Sequence, residues 1–491
     1  MNAQPLLLDD TISTLPSEIT ENIVCRLPLK EVVRSSILSK EWRYKWNKIP
    51  KVLFNEDLFD DSTDENQLPI VEQEFERQPN ERKKMSRRCK LFYAIYQFLL
   101  LHQGPIVDFT LSMRTKDEYD TAYDCFEINQ ILVHLSRKIT VKKLRLKSLC
   151  DLPLSIFSFP QLTELYLCCC DIDSSPPNRF ISSTFNGFGR LTTLCLEYVN
   201  ISKKALMDIL SSNPLLKSFT LLTGYHECIL IFHEDEYKTV DALFHCLPVI
   251  EHLTLCVWDI WSLFGGVVPR QLATSLVHLK YLRLERICFL EDAYLQFLIL
   301  IIRSSPNLEK LKLQVPLNCP VSLISHVIKK NIETIPFTLI FKVAKLATQM
   351  LCEDTGHWMN FIEDENYTVP MQEYSDIRLE HLIELEIEDF ENKNPDLDFV
   401  KLILAKSPVL KKVRLMVYSK DQVLKMLKAL LPSPRASPTV EIIGDCVGSV
   451  AAGRRYHNLI GMFGSKPIAP IRWCQFGNRT YIHNHEMKPK K

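Results

Sequence analysis

Cysteine and histidine are the residue types in this chain best suited to nucleophilic or metal chemistry, and their spacing argues against both. Cys168, Cys169 and Cys170 are contiguous, His226 pairs with Cys228, His245 with Cys246, and His483 and His485 lie near the end. A structural zinc site draws on two ligand pairs, and none of the sixteen cysteines has the two-residue gap of a zinc knuckle. The cysteine run falls on an apolar alternating segment, where core and surface placement account for it. No phosphate-binding glycine loop and no nucleophile elbow occurs. The expectation is a chain with no active site, no metal and no cofactor of its own.

The elements that would carry any function must come from something other than one compact core, because 491 residues exceed what a single core spans. Charges cancel, with 59 basic and 59 acidic side chains, so nothing draws the whole chain toward nucleic acid or anionic lipid. The most apolar stretch, Phe297 to Ile302, ends at Arg303, far short of a membrane span. The first thirty residues lack a basic start followed by an apolar run. Together with cysteines scattered through apolar segments, this predicts a soluble intracellular protein with reduced thiols, in the nucleus, the cytoplasm or both.

One phrase recurs: a leucine-type residue, two variable positions, a second leucine, one variable position, a third leucine. It is clearest at Leu162-Leu165-Leu167, Leu191-Leu194-Leu196, Ile250-Leu253-Leu255, Leu279-Leu282-Leu284 and Leu308-Leu311-Leu313, then at Leu382-Leu385-Ile387 and Leu410-Val413-Leu415. Weaker copies start at Ile106, Val141 and Leu216. From Leu194 through Phe219, Leu253 and Leu282 to Leu311 the steps are 25, 34, 29 and 29 residues. Ile172, Ile201, Ile260 and Phe289 follow five residues after the last leucine of their copies. Leu-x-Leu puts two side chains on one face of a short strand, and such a strand needs neighbours. Helical spacing follows at Ser202 to Leu210, Ala293 to Ile302 and Leu397 to Leu404. Asn213-Pro214, Ser305-Pro306 and Ser407-Pro408 then stop each helix, because the residue before proline avoids helical geometry.

The first fifty residues differ. Asp9 to Trp46 carries three short helical patterns punctuated by Leu15-Pro16, Leu27-Pro28 and Ser39, with Ile19, Ile23 and Leu27 on one stripe. About forty residues cannot bury that much apolar surface alone. Either a partner or the neighbouring repeat must cover it.

Leu15-Pro16-x-Glu18-Ile19, Ile23, Leu27 and Ser36-x-x-Ser39-Lys40-x-Trp42-Arg43 resemble the F-box. The later phrases resemble the loose leucine-rich repeats attached to F-boxes, over roughly Ile106 to Leu415. The stretch Leu382 to Leu415 is similar to the plant FBD module, which suggests a plant protein. In one respect the chain departs from the repeat pattern: its ninth position is Cys170, Val199, Trp258 or Ile287, so no regular asparagine ladder is expected. The resemblance implies an α/β fold, a short three-helix F-box followed by a leucine-rich-repeat solenoid with parallel inner strands and outer helices. It also implies a role as the non-catalytic substrate-recognition subunit of an SCF-type ubiquitin ligase. The F-box would bind a Skp-type adaptor, and through it a cullin scaffold, by Leu15, Pro16, Ile19, Ile23, Leu27, Leu38 and Trp42.

The resulting layout is F-box 9–54, charged linker 55–90, repeats 91–316, a degenerate repeat or insertion at 317–373, FBD-like terminal repeats 374–443 and a glycine-rich basic tail 444–491. Residues between the core leucines should face the concave surface, which places Glu164, Tyr166, Thr193, Thr220, His252, Tyr281, Arg283, Lys310 and Lys312 where a protein target would sit. A repeat protein that binds a partner without using its F-box is the alternative reading. Nucleic-acid binding through the basic tail is a third.

Overall fold

The computed structural model describes residues 15–24, 29–35, 42–59, 77–114, 126–172, 188–222, 240–257, 260, 269, 271–289, 292–316, 374 and 376–446. The chain divides into two compact units, residues 1–250 with 262–265, and residues 251–261 with 266–491. The stretch 317–373 and the segment after 446 lie outside the described residues.

In the first unit, β1 (Lys51–Asn55), β2 (Asp108–Ser112), β3 (Lys143–Asp151), β4 (Glu164–Asp171), β5 (Thr193–Glu197) and β6 (Ser218–Leu222) pair parallel in sequence order. The recurring phrase explains the register: Leu144, Leu165, Leu194 and Phe219 stand side by side, as do Leu146, Leu167, Leu196 and Leu221. All eight are buried, so each strand contributes two rungs to one apolar layer. Between strands run α3 (Arg77–Leu101), α4 (Phe126–Arg137) and α5 (Lys203–Ser211), with α6 (Val240–His245) following β6. The Ser202 hydroxyl caps α5 by accepting from the Ala205 N–H.

The three-helix start is part of this same unit. Here α1 (Ser17–Val24), α2 (Leu29–Ser35) and a 3₁₀ helix (Trp42–Lys48) lead straight into β1. Trp46, tilted, and Phe54, edge-on, meet the Phe98 ring of α3 at centroid distances of 5.7 and 5.5 Å. The His102 ring nitrogen Nε2 lies 2.9 Å from the Ile49 carbonyl, and burial holds this imidazole below its ordinary pKa. Gln103 and Gly104 both donate to the Asn47 carbonyl. A Cβ on Gly104 would meet the Lys48 carbonyl oxygen at 2.7 Å, so this crossing requires glycine. The charged linker expected at 55–90 is therefore corrected over its described residues, 60–76 lying outside them. Residues 51–55 are the first strand, residues 77–90 belong to α3, and the helical start packs directly onto the repeats.

The second unit repeats the plan with β7 (His252–Cys256), β8 (Tyr281–Glu285), β9 (Lys310–Gln314), β10 (Glu384–Glu388), β11 (Lys412–Val417) and β12 (Glu441–Cys446), again parallel and in order. Its helices are α7 (Asp292–Ser304), α8 (Asn394–Lys406) and α9 (Lys420–Leu430). The expected stops before Pro306 and Pro408 end α7 and α8, and Phe289 packs on Phe399 at 5.0 Å. The boundary expected at 444 is corrected, the rest of the predicted tail lying outside the described residues. Gly444 is inside β12, where a Cβ would lie 2.7 Å from Val423 Cγ1.

The turn leaving the strand also has a physical account. Cys169, Tyr198, Arg286 and Asp389, each two residues past a Leu-x-Leu or Leu-x-Ile pair, adopt left-handed backbone with φ of 55 to 60°. Where an asparagine ladder is missing, main-chain bonds take over: the Tyr198 N–H donates to Leu222 O, Ile287 to Gln314 O, and Phe390 to Met416 O. Val199 and Ile287 fill the freed ninth position with buried apolar side chains.

Candidate interaction surfaces

Two surfaces stand out, one on α1 and one on the strands. Helix α1 begins where Ile19 and Thr20 donate their N–H groups to the Pro16 carbonyl, so the Leu15-Pro16 turn nucleates it. Thr20 and Val24 face inward and are buried. Ile19 and Ile23, one turn apart, face outward at 47% and 38% exposure, next to exposed Pro16 and half-buried Leu15. The arrangement is an apolar ridge that the described residues leave exposed. Trp42 differs from the expectation: it is 4% exposed and belongs to the interior, since its 3₁₀ helix is packed under α1 and α2. Leu27 and Leu38 lie outside the described residues.

On the strands, the positions between core leucines alternate out of the apolar layer, with Glu386 of β10 the buried case at 6% exposure. His252 is exposed, and Glu164, Tyr166, Thr193, Thr220, Tyr281, Arg283, Lys310 and Lys312 are half-buried. In the first unit Tyr166 donates its hydroxyl to Glu197 Oε2 at 2.6 Å, and burial followed by this carboxylate raises the phenol well above its ordinary pKa. Arg145 spans Asp108 at 2.8 Å and Glu164 at 3.3 Å, while Thr193 and Thr220 stand one and two strands further along.

The second unit concentrates charge. In register, His252 neighbours Tyr281, Tyr281 neighbours Lys310, and Arg283 neighbours Lys312 and then Glu386. The His252 and Tyr281 rings are 6.0 Å apart. Arg283 bonds Glu285 at 2.8 Å and Glu388 at 3.2 Å, whereas Lys312 bonds Glu386 at 2.8 Å and Glu388 at 2.7 Å. Lys310 pairs with Glu384 at 2.9 Å. Burial works against the charge on Arg283 and Lys312. The surrounding carboxylates more than offset it and hold both groups above their ordinary pKa values.

Sequence reasoning named the cations of this network but left out Glu285, Glu386 and Glu388 as site residues. The usable signal was their place in the repeat phrase, Glu285 and Glu388 one residue past the last core position and Glu386 between two core positions in line with Arg283 and Lys312, because in-register parallel strands set equal positions side by side. In the second unit the result is a polar strand face of interlocked ion pairs with the Tyr281 ring beside it. Among the described residues no group of three or more histidine, cysteine or acidic side chains is placed to hold a metal, and no helix is long and apolar enough to cross a membrane.

The F-box domain family matches residues 12–53, the segment holding the exposed ridge. A family described as "FBD-associated F-box protein At5g56370, LRR repeats" matches residues 135–234, which contain β3 to β6. The F-box/FBD/LRR-repeat protein At1g13570 of Arabidopsis thaliana is 27% identical over 88% of this chain and 98% of its own length. F-box/FBD/LRR-repeat protein At2g04230 is 27% identical over 58% of this chain, and the putative FBD-associated F-box protein At1g05080 is 24% identical over 51%, both from the same plant. The chain spans about half the length of those last two relatives, 55% and 51%. With an F-box at its start and parallel leucine-rich repeats behind it, this chain is a relative of the plant F-box/FBD/leucine-rich-repeat proteins.

Proposed function

We propose that this chain is the substrate-recognition subunit of an SCF-type ubiquitin ligase. The observation that carries the reading is the exposed ridge of Pro16, Ile19 and Ile23 inside an F-box match, on a chain that buries most of its other isoleucines and leucines among the described residues. A Skp-type adaptor covers that ridge and connects it to a cullin. The outward strand positions, above all Tyr166, Tyr281 and Arg283, hold a protein target. The chain itself catalyses nothing. It raises the target's local concentration beside a ubiquitin-charged enzyme, so its contribution is positional.

The test is a paired pull-down of adaptor and target with the parent chain and with Leu15 and Pro16 both changed to alanine. Loss of adaptor with retention of target is expected. Failure of the parent chain to recover any adaptor would leave a repeat protein that binds partners without a ligase.

A further inference from the structure

The Cys168-Cys169 junction breaks the strand's alternation. In an extended strand, neighbouring side chains point to opposite faces, and their sulfurs are kept apart. In β4 the alternation holds through Leu165, Tyr166 and Leu167 and then slips: Cys168 is buried where an outward residue is due. Cys169 carries the left-handed backbone of the turn, with φ of 60°, and is half-exposed. The slip brings the two sulfurs to 3.5 Å, on the same side of the chain. Equivalent junctions hold Glu197-Tyr198, Glu285-Arg286 and Glu388-Asp389, so a repeat turn found elsewhere positions two thiols only here among the described residues. Cys170 is engaged differently, with its thiol directed to the Cys168 carbonyl at 3.4 Å.

We infer that Cys168 and Cys169 form a reversible vicinal disulfide in response to peroxide. Cys169 is the accessible thiol, and as thiolate it attacks hydrogen peroxide, giving a sulfenic acid and hydroxide. The Cys168 thiol then displaces the sulfenic oxygen as water, and the S–S bond closes; overall two thiols and one peroxide give one disulfide and two waters. The neighbouring Cys169 thiol, and then burial, hold Cys168 well above its ordinary pKa, so Cys168 stays protonated while Cys169 attacks the peroxide, and it gives up its proton as the S–S bond closes. Adjacent Cα atoms are about 3.8 Å apart, below the usual 4.4–6.8 Å of a disulfide, so the ring is strained and readily reduced. The Tyr166 hydroxyl neighbours the Cys168 thiol as well as Glu197, and ring closure therefore alters the strand face beside it. Any effect on target capture rests on the function proposed above; the thiol chemistry does not.

Full-length C150S/C170S protein leaves only this pair between Lys147 and Arg179. After graded peroxide, alkylation and trypsin, mass spectrometry should show this peptide losing two hydrogens and both alkyl groups, with recovery on dithiothreitol. Adding C169S should abolish the loss. Full alkylation of the pair at peroxide doses that oxidise other thiols, or a loss that persists with C169S, overturns the inference. Should the double variant misfold, phenylarsine oxide on the unmutated chain reads the same pair. A bridged adduct should form on this peptide from two thiols with release of one water and disappear in C169S, and an adduct surviving in C169S also overturns the inference.

Discussion

Changing Ile19 and Ile23 to alanine tests the exposed ridge with a magnitude that follows from the structure. Fully burying an isoleucine is worth about 1.5–3 kcal/mol. Ile19 retains 47% and Ile23 38% of its surface for a partner to cover. Scaled by those fractions, the two side chains contribute about 1.3–2.5 kcal/mol to adaptor binding, or about 10- to 70-fold in affinity. The fold should change little, because Thr20 and Val24, not the two isoleucines, form the inward face of α1. Titration calorimetry with a purified Skp-type adaptor measures the first quantity and thermal unfolding the second. Trp42→Ala is the contrasting control. At 4% exposure its loss should cost about 3–5 kcal/mol of stability. An affinity change below about threefold for the isoleucine pair, or a drop in melting temperature comparable to that of Trp42→Ala, would refute the assignment of this ridge to the adaptor.

Three further outcomes are expected. Asp396, at the third position of α8, is buried, and desolvation followed by Glu391 pushes its carboxyl up to about 7. A pKa raised on folding contributes stability that is present below the unfolded value near 4 and lost as pH rises through about 7. Asp396→Asn should therefore flatten urea stability between pH 5 and 8 and gain at most about 4 kcal/mol at pH 8, and a less stable variant at pH 8 would contradict this. Gly444→Val forces a side chain into Val423 and Met426, so a loss of about 1–3 kcal/mol is expected by denaturant unfolding, against no change if β12 is loosely held. Replacing Tyr166, Tyr281 and Arg283 by alanine should abolish target capture in a pull-down while adaptor binding persists; unchanged capture would move the target site off the strand face.

Much of this protein is written in short-range pattern. Leu-x-Leu at steps of 25 to 34 residues predicts stacked parallel strands, and prolines at 214, 306 and 408 predict where helices stop, because alternation and the pre-proline restriction act within a few residues. The motif around Leu15-Pro16 is equally local. What depended on tertiary structure was which of these residues meet. Trp42, which the F-box resemblance places on the adaptor face, is buried by the neighbouring helices. The charged stretch 55–90 reads as a linker, but β1 pairs with β2 across it, and Trp46 packs on α3. Gly444 reads as the start of a tail, yet α9 packs close enough to leave no room for a Cβ. Arg283 reaches Glu388, 105 positions away in sequence, because register sets β8 two strands from β10. The sulfurs of Cys168 and Cys169 meet because the left-handed turn rotates one side chain across the strand. Periodicity determines which face a residue takes, whereas the long-range packing of backbone against backbone determines its neighbour, and that information is not contained in any local window of the sequence.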